Sequence, residues 1–166
     1  MNVALVLALM LLTGTVATAQ TVQIDRIDVT EYGLYTATVV APLPGATGII
    51  DHTVTDERLA ASTRNVPMQH GVHFGFRYVV VGAPAGTSVP LRMVTIYPPP
   101  GISIPGTAAP LLRHEYMTNA PIGGLNYHDY SLDDAWELVP GVWTMEIWYG
   151  DRKLAGQSFT LAAPKR

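Results

Sequence analysis

Three residues could form a metal site. Met68, His70 and His73 make up the sequence M-x-H-x-x-H. A thioether and two imidazoles are ligands that suit copper. Residues three apart on an extended strand point to opposite faces, so the two histidines could share a metal only if the chain turned at Gly71. The simpler interpretation is a pair of surface histidines beside a turn, and the sequence predicts no metal and no cofactor.

A second group has the components of a carbohydrate-binding surface. Tyr127 and Tyr130 flank His128 and Asp129. Aromatic rings stack on sugar rings, and a carboxylate accepts hydrogen bonds from sugar hydroxyls. On a strand, Tyr127 and Asp129 share one side, whereas His128 and Tyr130 share the other. The alternative is that the tyrosines pack in a core or cover a sheet edge.

Two single residues could contact a partner. Arg77 lies in an aromatic run, on the face opposite Phe76, and could bind an anion or a carboxylate. A solvated or salt-bridged arginine is the alternative. Trp148 has the opposite parity to Trp143, so we expect it on the outer face of its strand. An exposed Trp148 is the best single candidate for a hot spot in a protein interface.

Catalytic motifs are absent from the sequence. It contains no G-x-S-x-G, no H-E-x-x-H, no glycine-rich phosphate loop and no cysteine nucleophile. Asp133, Asp134 and Glu137 lie near one another, but a catalytic acid pair also needs a defined separation in a cleft. A solvated acidic turn is the simpler interpretation. An enzyme is therefore less favoured than a binding domain.

The composition excludes several classes of protein. The chain has 166 residues, of which 48% are hydrophobic and 14% charged, so a disordered chain is excluded. A net charge of −3 supplies no basic surface, so nucleic acid is not an expected partner. There is no cysteine, which rules out disulfides and thiolate metal sites.

The first 19 residues are predicted to be a secretory signal peptide. Residues 3–12 are all apolar, and Ala17-Thr18-Ala19 is a typical cleavage site, which places cleavage before Gln20. The apolar run is too short to cross a bilayer, which needs about 20 residues. We therefore expect a periplasmic or secreted product, not anchored in a membrane, with one domain at residues 20–166.

The mature part has the pattern of an all-β protein. Apolar residues alternate along 72–80, 89–97 and 143–149, and Gly150-Asp151 predicts a hairpin turn. The runs 72–80 and 89–97 suit an antiparallel pair. Changes of phase predict a kink near Asp25-Arg26 and a bulge at Gly156.

Helical signal is almost absent. One turn of helix is expected within residues 131–136, and residues 98–110 are predicted to form a long, stiff loop. Eight or nine short strands predict an antiparallel β-sandwich, with a closed barrel as the competing architecture.

Several segments together resemble a known family. The segment 138–143 is similar to the corner of immunoglobulin-like domains, with Trp143 in the place usually held by tyrosine, which leaves the corner hydrogen bond open. The segments that carry the wider resemblance are 31–35, 71–78, 136–141, 146–155 and 157–159. Together they resemble an uncharacterised family of secreted bacterial proteins, a domain of unknown function with an immunoglobulin-like fold. The resemblance implies an export signal, a single β-sandwich and no established activity.

The function favoured by the sequence is an exported, soluble binding module. Its expected partner is an envelope protein or a glycan, and its expected surface comprises the loops 98–110 and 122–134 with the face of Trp148. The alternatives are a carbohydrate-binding or metal-dependent hydrolytic enzyme of the periplasm, and a passive structural protein of the envelope.

Overall fold

The computed structural model describes residues 21–44 and 50–163, which form nine strands and one turn of 3-10 helix, Ala135–Glu137. The strands are β1 Gln23–Pro44, β2 Ile50–Ala61, β3 Asn65–Pro67, β4 His73–Ala83, β5 Ser88–Ile96, β6 Arg113–Pro121, β7 Leu125–Ser131, β8 Gly141–Tyr149 and β9 Arg152–Ala162. The predicted signal peptide and its cleavage site lie outside the described residues. Within the described part of the chain, no helix is long and apolar enough to cross a membrane.

The strands form two separate sheets, so the predicted sandwich is confirmed. The four-stranded sheet has the order β2-β1-β4-β7 and is antiparallel throughout. The five-stranded sheet has the order β3-β9-β8-β5-β6, in which only β3 and β9 pair in parallel. The core lies between the sheets.

The expected pairing of β4 with β5 is wrong. β4 belongs to the four-stranded sheet and β5 to the five-stranded sheet. Both strands bury an alternating apolar row but share no ladder, and across the core Phe74 of β4 packs against Trp143 on β8 and Phe159 on β9. Period-2 alternation identifies the buried face of a strand, but it carries no information about which strand lies beside it.

The alternation itself identifies the core correctly. Most of the completely buried large side chains come from β4, β5, β8 and β9, namely Phe74, Phe76, Tyr78, Leu91, Met93, Trp143, Met145, Ile147, Phe159 and Leu161. Since the chain has no cysteine, this apolar layer supplies the cohesion of the domain.

One predicted irregularity is confirmed and the other is displaced. The register of β1 against β4 shifts between Ile24 and Arg26, so Asp25 is the extra residue, as the change of phase predicted. In β9 the shift falls at Leu154, two residues before the expected Gly156. Gly156 instead leaves room for a neighbour, because a Cβ added there would lie 3.1 Å from the Cε of Lys153.

The corner before β8 forms its hydrogen bond with an indole instead of a phenol. The Nε1 of Trp143 donates to the carbonyl of Val139 at 3.0 Å. The donor lies four residues after the acceptor, so the bond fixes the chain where it enters β8. Trp143 therefore fulfils at this corner the role that tyrosine has in immunoglobulin-like domains.

The proline-rich loop 98–110 is anchored instead of projecting freely. Ile102 pairs with Leu111 in an isolated bridge, and both Ile102 and Ile104 are buried. Pro99, Pro100, Ser103 and residues 105–110 are exposed, so these parts of the loop are available to a partner. The second expected loop, 122–134, is wrong over most of its length, because Leu125–Ser131 form β7.

Alanine at Gly75 is expected to lower the free energy of unfolding by about 2 kcal/mol. Gly75 lies in the interior of β4, where an added Cβ would come within 2.3 Å of the His128 carbonyl and 2.6 Å of the Asp129 Cα. Both obstacles are backbone atoms of β7, so β7 would have to move. Urea denaturation followed by circular dichroism measures the change.

Gly156→Ala is the matched control. This glycine also lies within a strand, but the nearest atom to its added Cβ is the flexible end of Lys153. We expect a change below about 1 kcal/mol there. Equal losses in the two variants would contradict the steric argument.

Candidate functional site

The outer face of the five-stranded sheet brings four long side chains into one row. Arg92 on β5 is paired with both Met117 on β6 and Trp148 on β8, and Trp148 is paired with Lys153 on β9. Paired residues in adjacent strands lie on the same face of a sheet. The row therefore crosses four strands at right angles to their direction.

Six side chains on this face form a continuous series of contacts, which we name the Trp148 chain. Its members, in spatial order, are Arg113, Glu115, Arg92, Trp148, Glu146 and Lys153. Three of the contacts are ion pairs, one is a cation–π contact and one is an indole hydrogen bond. Val94, which lies on the same face between Glu115 and Glu146, is fully buried.

Trp148 is held from both sides. Its Nε1 donates to Oε2 of Glu146 at 2.9 Å, and the other oxygen of this carboxylate accepts from Nζ of Lys153 at 2.5 Å. The guanidinium of Arg92 lies 5.1 Å from the indole ring and donates to Glu115 at 3.0 Å. Arg113 donates to the other oxygen of Glu115. The indole is therefore oriented before any partner arrives.

Both carboxylates of the Trp148 chain, Glu115 and Glu146, are maintained in the ionised form. Burial raises the pKa of Glu146, but the hydrogen bonds from Lys153 and Trp148 outweigh it, so that the net shift is downward. Hydrogen bonds from Arg113 and Arg92 lower the pKa of Glu115. The carboxylates thus act as fixed acceptors that orient the tryptophan and the arginines.

This arrangement has the composition of a protein-binding surface. Tryptophan and arginine are the most frequent hot-spot residues, and methionine is enriched in interfaces. Met117, at the end of the row, has 62% of its surface exposed. Parity alone identified Trp148, but Arg92 and Met117 were missed because their place beside it depends on the register of three strands.

The four-stranded sheet brings together three other predicted residues. Arg77 is paired with Tyr127 on one side and with Glu31 on the other. Its guanidinium lies 3.2 Å from the Glu31 carboxylate and donates to the Glu57 carbonyl at 2.6 Å. Asp129 projects from the same face of β7 as Tyr127, as parity predicted. Arg77 is therefore engaged in structural contacts of the kind that the alternative interpretation expected.

Tyr127 is also engaged by a neighbour. Its ring packs edge-on against Tyr35, with centroids 4.9 Å apart, and its hydroxyl has no access to solvent. Burial, with the charges of Asp129 and Glu57, raises the pKa of Tyr127. A sugar-binding role for Tyr127 and Asp129 stays a prediction.

Tyr130 lies on the opposite face of β7, in the core. Its hydroxyl donates to Glu137 at 2.6 Å, and the second oxygen of this carboxylate accepts the backbone N–H groups of Asp133 and Asp134 at 2.7 and 2.8 Å. Glu137 is only 4% exposed, so the expected solvated acidic turn is wrong at this residue. Burial raises the pKa of Glu137, against the effect of its hydrogen bonds. The carboxylate fixes the segment between β7 and β8.

The two histidines of the M-x-H-x-x-H sequence lie in different surroundings. The turn at Gly71 does form, with a φ of +78°. His70 is exposed, however, while Nε2 of His73 lies 3.2 Å from the hydroxyl of Ser131 on β7. Met68 is half-buried beside the end of β9. Among the residues that the structure describes, no group of three or more His, Cys, Asp or Glu could hold a metal ion.

Comparison with known proteins agrees with this fold. An immunoglobulin-like protein of Pseudomonas aeruginosa, known from a crystal structure, is similar to the chain with a TM-score of 0.60 and 25% sequence identity. The similarity covers 86% of this chain and 98% of that protein. No curated protein matches the chain. The model of the domain of unknown function DUF3859 matches residues 23–161, and the chain therefore belongs to this family.

Proposed function

We propose that this chain is an exported binding module that recognises an envelope protein through the outer face of its five-stranded sheet. The observation that carries the proposal is the Trp148 chain, in which contacts within the protein already orient Trp148 and Arg92. Residues that are ordered before binding lose little conformational entropy when the partner docks. Export is supported by the apolar run 3–12 and the A-x-A site at residues 17–19.

The contacts around Trp148 favour a protein partner over a glycan. A sugar ring would have to stack on the indole, and the guanidinium of Arg92 lies over that ring at 5.1 Å. A protein side chain can pack against the combined Trp148–Arg92 surface without displacing either residue. Met117 extends this surface to the sheet edge.

The carboxylates of the site favour binding over catalysis. Glu115 and Glu146 have lowered pKa values because cations and the indole stabilise their ionised forms. A general acid requires the opposite shift, so that a proton is available near neutral pH. These groups are suited to positioning neighbours.

Site-specific photocrosslinking in cells that express the full-length chain tests the proposal. A photoreactive amino acid is placed at Met117, on the proposed surface, or at Leu125 on β7 of the other sheet. The two side chains are similarly exposed, at 62% and 60%. We expect one discrete envelope-protein adduct from position 117 and none from position 125.

Trp148→Ala, introduced into the protein that carries the photoreactive residue at position 117, shows whether the adduct depends on the proposed site. The adduct from position 117 should fall at least about tenfold, since loss of a hot-spot tryptophan costs about 2 kcal/mol or more. Trp136→Phe, a change at a half-buried tryptophan outside the Trp148 chain, is the control and should leave the adduct intact. An adduct that survives Trp148→Ala, or equal labelling from both positions, would overturn the proposal.

A further inference from the structure

Two buried histidines lie where the edges of the two sheets meet. His128 on β7 is 1% exposed and His114 on β6 is 8% exposed. β6 and β7 are edge strands of different sheets, and only residues 122–124 connect them along the chain. The histidines therefore belong to opposite halves of the sandwich.

Aromatic contacts join the two halves at this position. The ring of Tyr116 on β6 lies 6.2 Å from that of His128 and 5.8 Å from that of His114, measured between centroids. On its other side, His128 packs edge-on against Phe76 of β4 at 5.5 Å. We name the group of His114, Tyr116, His128 and Phe76 the histidine seam.

We propose that the histidine seam is an acid-sensitive latch: the neutral imidazole of His128 holds β6 against β7, and its protonation releases these two edge strands while the rest of the sandwich stays folded. This goes beyond the proposed binding function. The latch would also affect the proposed binding surface, because β6 carries Arg113, Glu115 and Met117 on its outer face. An exported protein would experience the pH of its surroundings directly.

The surroundings of His128 offer little compensation for a positive charge. Neither ring nitrogen has a hydrogen-bond partner of normal geometry among the described residues. The backbone of Val94 on β5 favours protonation of the ring, but burial outweighs this effect. β4 contributes the apolar ring of Phe76, and β6 contributes Tyr116 and His114. Among the described residues, the charge of His114 acts on His128 and disfavours its protonation.

The direction of the pH effect follows from this environment. Burial lowers the pKa of His128 from 6.5 to about 4. The open form, in which the ring is hydrated, binds the proton more tightly than the closed form. The closed seam is therefore fully stable above about pH 6.5 and loses stability as the pH falls toward 4. The ratio of open to closed forms should rise roughly tenfold per pH unit in this window.

The topology allows opening to stay local. Release of β6 opens only its ladder with β5, and release of β7 opens only its ladder with β4, so the ladder between β8 and β9 stays paired. Tyr130 leaves the core with β7, whereas Trp143, Met145 and Phe159 stay on β8 and β9. Opening therefore stays confined to one side of the sandwich.

Hydrogen–deuterium exchange of the full-length chain at about pH 7 and about pH 5 tests the latch. After correction for intrinsic rates, amides of residues 113–131 should lose protection about thirtyfold between these conditions. Amides of β8 and β9 should change by less than about threefold. A uniform loss of protection across both sheets would overturn the proposal, because it indicates global unfolding.

His128→Leu should abolish the acid response of residues 113–131, since leucine fills much of the same space without titrating. His70→Leu, at an exposed histidine in a turn, should retain the response. An NMR titration of the His128 imidazole in the unmodified protein does not depend on the folding of a variant. A titration midpoint near that of a free histidine, or a response that persists in His128→Leu, would refute the latch.

Discussion

Replacing Trp143 by alanine is expected to lower the free energy of unfolding by about 4 kcal/mol. The side chain is fully buried, and its ring packs edge-on against Tyr97 at 4.7 Å, Tyr130 at 5.0 Å and Phe74 at 5.9 Å. Alanine would leave a large cavity among these rings. It would also remove the donor to the Val139 carbonyl, which fixes the corner before β8.

Trp143→Phe separates the two contributions. It keeps an aromatic ring in the core but lacks the N–H donor, so we expect a loss of about 2 kcal/mol. Urea denaturation measures the free energy of unfolding of every variant. If the alanine variant does not fold, the phenylalanine variant alone is compared with the unmodified protein. Trp136→Phe, at a half-buried position, is the control, with a change below about 1 kcal/mol. Losses at Trp143 no larger than in this control would refute the central role of Trp143.

Replacing Glu137 by alanine is expected to cost about 3 kcal/mol. The substitution removes the acceptor of the Tyr130 hydroxyl and of two backbone N–H groups, those of Asp133 and Asp134. Buried donors without an acceptor lose their hydration without replacement. Glu137→Gln retains one oxygen for the N–H groups, and its amide can donate to the Tyr130 oxygen, so we expect a loss below about 1 kcal/mol there.

The pH dependence of Glu137 provides an independent check. Burial raises the pKa of Glu137 above its ordinary value of 4.5, so the folded state holds the proton more tightly than the unfolded state. Stability contributed by this group is therefore greatest at low pH and declines as the pH rises through the raised pKa. Glu137→Gln cannot show this decline. The free energy of unfolding is measured at each pH for the unmodified protein and for Glu137→Gln. The effects of the other titrating groups cancel in the difference between the two values. A constant difference from about pH 4 to pH 8 would contradict the assignment.

The candidate site shows which features of a site local sequence patterns can predict and which they cannot. The parity of Trp148 relative to Trp143 placed it on the outer face of β8, where it lies. Parity did not indicate that Arg92 would lie over its ring, because Arg92 is distant in sequence. The same limit explains Glu137, whose burial results from the packing of Tyr130 against the segment that carries the carboxylate.

The sequence by itself determined most of the strands, their buried faces, the sandwich class and the place of most turns, whereas β3 and β7 were not predicted as strands. These properties depend on the alternation of apolar residues and on glycine and proline, which act over a few residues. Only the tertiary structure decided that β4 and β5 lie in different sheets, that six side chains form the Trp148 chain, and that His128 and His114 meet at one seam. Those arrangements depend on the order and register of strands, which are set by the packing of the whole core and by hydrogen bonds between distant segments.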